Sequence, residues 1–348
     1  MHKTIALNDN YSTTRNLIKA NPETISALVN LSKNPEDKLD TVMFPPEGEN
    51  RQGEGGLRTE GYFKDRCIFN KNTSKTSSVS NQASAKNDID KKNKSLKPIV
   101  SVVTVVYNCE KHLEETILSV INQTYDSVEY IIIDGGSTDG TLDIIKKYED
   151  KIDYWVSEKD KGIYDAMNKG IKTANGSYLN FMNAGDFYYN NKVLEDIFIK
   201  LPLNYFGVLY GNTQVYYSKT FSRNIKHNSK LVFIKGLPFC HQSTFVRTSI
   251  LKDNLFSLDF KIYSDLYLFG TLFEKNIVFK YIDIYISKYE YNGLSSVKSF
   301  KHFKELIVIQ RKLHGKIFYS NLLFIFFKAM LKRLLPFPLL KFLIRIKR

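Results

Sequence analysis

The sequence predicts an α/β protein with a mostly parallel central sheet flanked by helices, and three observations carry that expectation. Ile99 to Val106 is a β-branched run and Val128 to Ile133 is a second apolar segment, the pattern of strands buried on both faces. Apolar residues then recur at helical spacing, first as Leu113, Ile117, Val120 and Ile121, and later as Leu142, Ile144, Ile145 and Tyr148. Strands that alternate with amphipathic helices make a parallel sheet with helices on both sides. Right-handed crossovers put the strand ends on one edge, where open α/β sheets bind ligands. A nucleotide-type site is therefore expected near Asn108, Asp134 and the later strand ends.

Taken in order, residues 1–69 are weakly patterned and are expected as a flexible N-terminal extension of unknown role, with no chemistry visible in it. Asn21, Pro22 and Glu23 form a cap and first turn ahead of Ile25, Leu28 and Val29, which predicts one short helix. A Gly-rich stretch follows from Glu47 through Gly61. Residues 70–97 hold seven Lys and six Ser with too little apolar area to offset the entropy of ordering, and are expected as a disordered linker. Pro98 closes it. After the first two strands, Tyr154 to Ser157 reads as a third strand, Gly162 to Ala174 as a helix, and Ser177 to Met182 as a strand behind an Asn175-Gly176 turn. Ser264 to Lys275, with Leu266, Phe269 and Phe273, reads as a further helix, and residues 276–287 are strand-like.

The 348 residues, 43% hydrophobic and 25% charged, have the balance of an ordinary globular protein, which excludes fibrous and wholly disordered classes. Cys67, Cys109 and Cys240 are scattered and odd in number, so they form neither a disulfide framework nor a zinc cluster and suit the reduced thiols of a cytosolic protein. The first twenty residues lack the apolar core of a secretory signal. Of the net charge of +14, ten Lys or Arg fall from Leu306 onward with no acidic residue, leaving 40 basic against 36 acidic residues before that point. A nearly neutral body disfavours nucleic acid as a partner.

Three segments carry candidate chemistry. Asp134-Gly135-Gly136-Ser137-Thr138-Asp139-Gly140-Thr141 stands where a strand hands over to a helix, but it lacks the Walker lysine and the dinucleotide Gly spacing. Its carboxylate at Asp134 can accept a hydrogen bond from a nucleobase N–H. In the segment from Asp160 to Gly170, Lys161 and the free N–H groups of a helix start favour a diphosphate. Asn183-Ala184-Gly185-Asp186 follows a strand directly, and a carboxylate there suits Mg²⁺ or Mn²⁺.

In this order the three segments resemble the family 2 glycosyltransferases of bacterial cell-surface polysaccharide synthesis, which have the GT-A (nucleotide-diphospho-sugar transferase) fold, from about Pro98 to about Phe273. The resemblance implies that Thr104, Val105, Tyr107 and Asp134 contact the nucleoside of a sugar nucleotide, with Asn108 and Gly135 beside them and Asp160, Lys161 and Asn168 around the same pocket. It further implies that His241 and Gln242 lie near the diphosphate or acceptor, and that Asp265 is the catalytic base. A carboxylate at that position takes a proton from a sugar hydroxyl as attack proceeds. Where most of the family has Asp-x-Asp, this chain keeps only Asp186 as a metal-binding carboxylate, with Asn183 in the first position. The expected activity is a metal-dependent, inverting transfer of hexosyltransferase type, from a UDP- or GDP-linked sugar to a glycan or polyprenyl-diphosphate-linked acceptor. The alternative is a catalytically silent sugar-nucleotide-binding protein.

These readings divide the chain into a GT-A domain over residues 98–315 and a tail over 316–348. The tail is apolar and basic, yet its longest uninterrupted apolar run, Leu322 to Phe327, is six residues, whereas a bilayer span takes about 20. Asn321, Lys328 and Lys332 lie along one helical stripe, which suits an amphipathic helix in the headgroups of an anionic leaflet. The expected location is cytoplasmic, peripheral at the inner face of the cell membrane.

Overall fold

The computed structural model describes residues 10–21, 43–46, 48, 50–64, 97–201, 206–218, 221–291 and 300–318. The short helix expected after Asn21, residues 70–96 of the expected linker and residues 319–348 of the tail lie outside the described residues. In chain order the strands are β1 (Leu17–Lys19), β2 (Gly53–Gly55), β3 (Tyr62–Lys64), β4 (Val100–Val106), β5 (Val128–Asp134), β6 (Tyr154–Ser157), β7 (Tyr178–Phe181), β8 (Asp186–Tyr188), β9 (Val208–Ser218), β10 (Phe221–Ile225), β11 (Thr244–Arg247) and β12 (Phe279–Glu290). The helices are α1 (Leu113–Ile121), α2 (Thr141–Lys147), α3 (Ile163–Thr173), α4 (Val193–Phe198), α5 (Thr248–Asp253), α6 (Ser264–Glu274) and α7 (Phe300–His314).

One ten-stranded sheet runs in the order β2-β6-β5-β4-β7-β11-β9-β12-β8, with β10 beside β9. Its centre is parallel: β4 pairs β5 from Val100↔Val128 to Val106↔Asp134, and β6 and β7 extend the same direction on either side. The sheet as a whole is mixed, because β2, β8, β10 and β11 run antiparallel to their neighbours. Strand β12 returns to the parallel direction beside β9. Only residues 219 and 220 separate β9 from β10, so the two pair as a hairpin.

Every residue of β4 and β5 is buried, which is why their sequences do not alternate with polar residues. Val103, Val105, Ile131 and Ile133 face a core shared with Met167 and Ile171 of α3 and Leu266 and Phe269 of α6. Val102, Val106, Tyr130 and Ile132 face the other core, with Leu113, Ile117 and Val120 of α1. Burying each such aliphatic side chain stabilises the fold by about 1.5–3 kcal/mol. Helix α3 approaches β4 closely because residue 170 is Gly; a Cβ there would stand 2.4 Å from Val103 Cγ1. Among the described residues no helix is long and apolar enough to cross a membrane.

The described parts of residues 1–69, expected as a flexible extension, are instead built into the domain. Strand β2 pairs with β6 and adds an edge to the main sheet. Arg58, 2% exposed, pairs with Glu129 of β5 at 2.8 Å and donates to the Met43 and Thr173 carbonyls. Lys64 Nζ, also buried, donates to the carbonyls of Ser12, Thr13 and Arg15. These two buried cations are the bolts of this packing.

Candidate functional site

The C-terminal ends of β4, β5 and β7 lie side by side, and the loops leaving them form one edge. Asn108, in a left-handed conformation at φ 48°, turns the chain away from β4. Its Oδ1 accepts the Thr138 N–H at 2.8 Å, its N–H donates to Ser137 Oγ at 2.8 Å, and the Cys109 N–H donates to Thr141 Oγ1 at 2.9 Å. Asp139 accepts from the Glu110 and Thr141 N–H groups, and Glu110 accepts from Gly140. Asn108 and the Ser137 to Thr141 run are thus cross-braces between the two loops.

Three of the expected donor contacts are corrected by this geometry. Asp134 is fully buried, and both its oxygens are occupied: Ser137 Oγ donates to Oδ1, while the Ser137 N–H and Ser157 Oγ donate to Oδ2. It ties the loop after β5 to the end of β6 and presents no free oxygen to a ligand. Thr104 is equally buried, with its hydroxyl shared between Tyr130 Oη and the Met182 carbonyl. Asn168 uses both ends of its amide on the backbone of Phe256, at 2.9 Å each, clamping α3 to the segment before α6. Val105 is core. Tyr107 is 63% exposed, and Asp160 and Lys161 stand on the loop before α3. That helix start opens onto a small pocket lined by Lys161, Ile163, Asp165, Leu258, Phe260 and Lys261.

On the other side of β4 lies a second group. The Ala184 N–H donates to the Val105 carbonyl at 3.2 Å, which holds the Asn183 to Asp186 turn beside the strand end. Asp186 opens β8 and accepts from Gln242 Nε2 at 3.1 Å. Burial pushes its carboxyl up to about 6, against the opposing pull of His241 and Gln242. His241 and Gln242 sit on a 3₁₀ turn ahead of β11. Asn183 Nδ2 lies 3.3 Å from His241 Nε2, and His241 Nδ1 lies 3.5 Å from Asp265 Oδ2. With Nε2 accepting from the amide, the ring proton sits on Nδ1, turned toward the carboxylate.

Asp265, in the first turn of α6, also accepts the Leu266 N–H at 2.7 Å and lies 3.4 Å from Tyr164 Oη. Burial is the main reason the Tyr164 phenol is raised above its ordinary pKa, with Asp265 adding to the effect. The structure therefore joins Asp265, His241, Asn183, Gln242 and Asp186 in one connected set. Tyr164 went unnoticed in the sequence because it reads as a core residue of α3, and its signal is positional, in the first turn of a helix that follows the Asp160-Lys161-Gly162 loop.

Residues 101–263 match the family model described as Glycosyl transferase family 2. They are a family 2 glycosyltransferase domain. An uncharacterized glycosyltransferase of Haemophilus influenzae is 35% identical to this chain over 118 residues, 33% of this chain and 47% of that protein. The putative teichuronic acid biosynthesis glycosyltransferase TuaG of Bacillus subtilis is 38% identical over 105 residues, 29% of this chain and 41% of that protein. The chain thus spans less than half the length of these relatives. The crystal structure of S. aureus TarS 1-349 in complex with UDP-GlcNAc resembles the glycosyltransferase domain in fold, with a TM-score of 0.50 at 19% identity over 62% of this chain and 67% of that one.

Whether a divalent ion fits the glycosyltransferase domain is a question of its oxygen donors. Among the described residues no group of three or more His, Cys, Asp or Glu is placed to hold a metal. Asn183 Oδ1, however, is a buried acceptor with no hydrogen-bond donor among the described residues, in the same turn as Asp186. One carboxylate and one amide oxygen suit a hard cation that draws its remaining ligands from a diphosphate and water.

Proposed function

We propose that this chain is an inverting glycosyltransferase that moves a sugar from a UDP- or GDP-linked donor to a hydroxyl of a glycan or polyprenyl-diphosphate-linked acceptor. The observation that carries the reading is the linked set Asp265, His241, Asn183 and Asp186. It lies on the same sheet edge as exposed Tyr107 and the loop of Asp160 and Lys161. Asp265 takes the proton from the acceptor hydroxyl as its oxygen attacks the anomeric carbon, on the face opposite the leaving diphosphate. His241, protonated at Nδ1, holds the Asp265 carboxylate in place. Lys161 neutralises charge on the diphosphate. Mg²⁺ or Mn²⁺ held by Asp186 and Asn183 Oδ1 would offset the charge that builds on the leaving group.

The name of the Bacillus relative supports a cell-surface polysaccharide as the product class. The apolar, basic sequence after residue 316 supports work at an anionic membrane face. Undiminished sedimentation with anionic vesicles after deletion beyond Tyr319 would end that anchoring. The activity is tested by a panel of sugar nucleotides offered with membrane extract as acceptor source. Release of a nucleoside diphosphate from one donor is expected; failure to bind or turn over any of them sinks the reading.

A further inference from the structure

We propose that Glu305, on helix α7, is a positioning residue for Asp265, holding the turn from which that carboxylate is presented. The inference rests on the reading of Asp265 as the base and names the group that aims it. Helix α6 has no side-chain cap at its N-terminus, and Asp265 stands in its first turn. The direction of the carboxylate is therefore set by the turn that leads into the helix. Three consecutive N–H groups of that turn converge on one side chain. Glu305 Oε1 accepts from Lys261 at 2.9 Å, and Oε2 accepts from Ile262 at 3.0 Å and from Tyr263 at 3.1 Å. Hydrogen bonds to an ionised acceptor are about twice as strong as neutral ones. The Ile262 carbonyl in turn accepts from Tyr164 Oη at 2.7 Å, so α7 and α3 hold the same turn.

Glu305 lies 42 residues beyond Tyr263 and outside residues 101–263, which match the family model. Its helix is packed along the base's own helix. Leu306 and Ile309 of α7 share a core with Leu266 and Phe269 of α6. A Cβ at Gly270 of α6 would stand 2.5 Å from Leu313 Cδ1, which shows how closely the two helices approach. Lys312 Nζ sits 5.3 Å from the centre of the Phe260 ring and 5.5 Å from that of Tyr267. These apolar and ring contacts fix where α6 lies, and the Glu305 bonds fix the path of the chain into it. Beyond the turn, Asp265 Oδ1 accepts the Leu266 N–H at 2.7 Å while Oδ2 faces His241 Nδ1 at 3.5 Å. A shift of about 1 Å in a reacting group costs on the order of a hundredfold in rate.

The test is nucleoside diphosphate release at saturating donor, using the sugar nucleotide turned over in the panel above and membrane extract as acceptor source. The full chain is compared with Glu305→Gln, with Asp265→Asn and with the variant carrying both changes, and donor affinity is measured for each. Glu305→Gln keeps the length of the side chain but sets an amide against the N–H groups of the turn. It is expected to slow release about tenfold or more and to leave donor affinity within about threefold. In the Asp265→Asn background the same change is expected to slow release by less than about twofold, because the turn then has no base to aim. Slowing by an equal factor in both backgrounds makes Glu305 a purely structural residue and overturns the assignment, as does release by Glu305→Gln at the intact rate. Glu305→Asp, with the charge kept and the reach shortened, is read by the same comparison should Glu305→Gln not fold. Loss of the fold in both variants also overturns it. Release at the intact rate by Asp265→Asn alone overturns instead the reading on which the inference rests.

Discussion

Asp186 shows how much a single side chain depends on its surroundings. It is the lone carboxylate of its turn, buried, and in hydrogen-bond contact with Gln242. Asp186→Ala is expected to abolish metal-dependent nucleotide binding, and unchanged binding by calorimetry with Mn²⁺ counts against its role. Its candidacy was legible because an Asp directly after a buried strand points at the ligand edge. Asp265 was a candidate for a different reason, its place in the family resemblance, since a carboxylate in the first turn of a helix carries no such strand-end signal. Asp134, Thr104 and Asn168 misled for a shared reason. Residue type and strand position say where a backbone ends, but the partners that exhaust these side chains, Ser157, Met182 and Phe256, lie far along the chain. Saturation of a polar group is a tertiary property.

At the scale of elements, strands β4 to β7 and helices α1 to α3 were readable because their periods are strong and their crossovers local. The N-terminal elements were not. Strands β1, β2 and β3 are three residues each, and their anchors are Arg58 and Lys64, which no apolar pattern announces. Glu129 measures the strength of this anchoring. Burial alone would raise its carboxyl, yet Arg58 and hydrogen bonds from Asn175 and Ser101 bring it below the ordinary range. Arg58→Leu leaves that buried charge unpaired and is expected to cost about 3–5 kcal/mol of stability by denaturant unfolding. A loss under about 1 kcal/mol would mean that the N-terminal segment merely rests on the domain.

For the whole molecule, the interior carboxyls set a pH dependence. Burial lifts Asp153 to about 7, although neighbouring Lys64 and Arg58 pull it down, and Glu129 adds to the rise; Asp186 is lifted to about 6. Both groups bind protons more tightly folded than unfolded, so their contribution is complete near pH 4 and declines as pH rises toward about 7. Glu129 and Glu158, shifted down, act oppositely and lose their contribution only as pH falls below about 4.5. Thermal unfolding should therefore move to lower temperature between about pH 5 and about pH 8, and Asp153→Asn should flatten that slope. A slope unchanged by the substitution removes Asp153 as its source. The sheet that buries Asp153 also aligns the strand ends, and the function proposed for that edge rests on the carboxylate at its far side. The most direct measurement compares the intact protein with Asp265→Asn for donor affinity and for nucleoside diphosphate release in the presence of membrane extract. The account predicts equal donor affinity and release slowed by roughly a hundredfold or more. Release at the intact rate by the variant contradicts it.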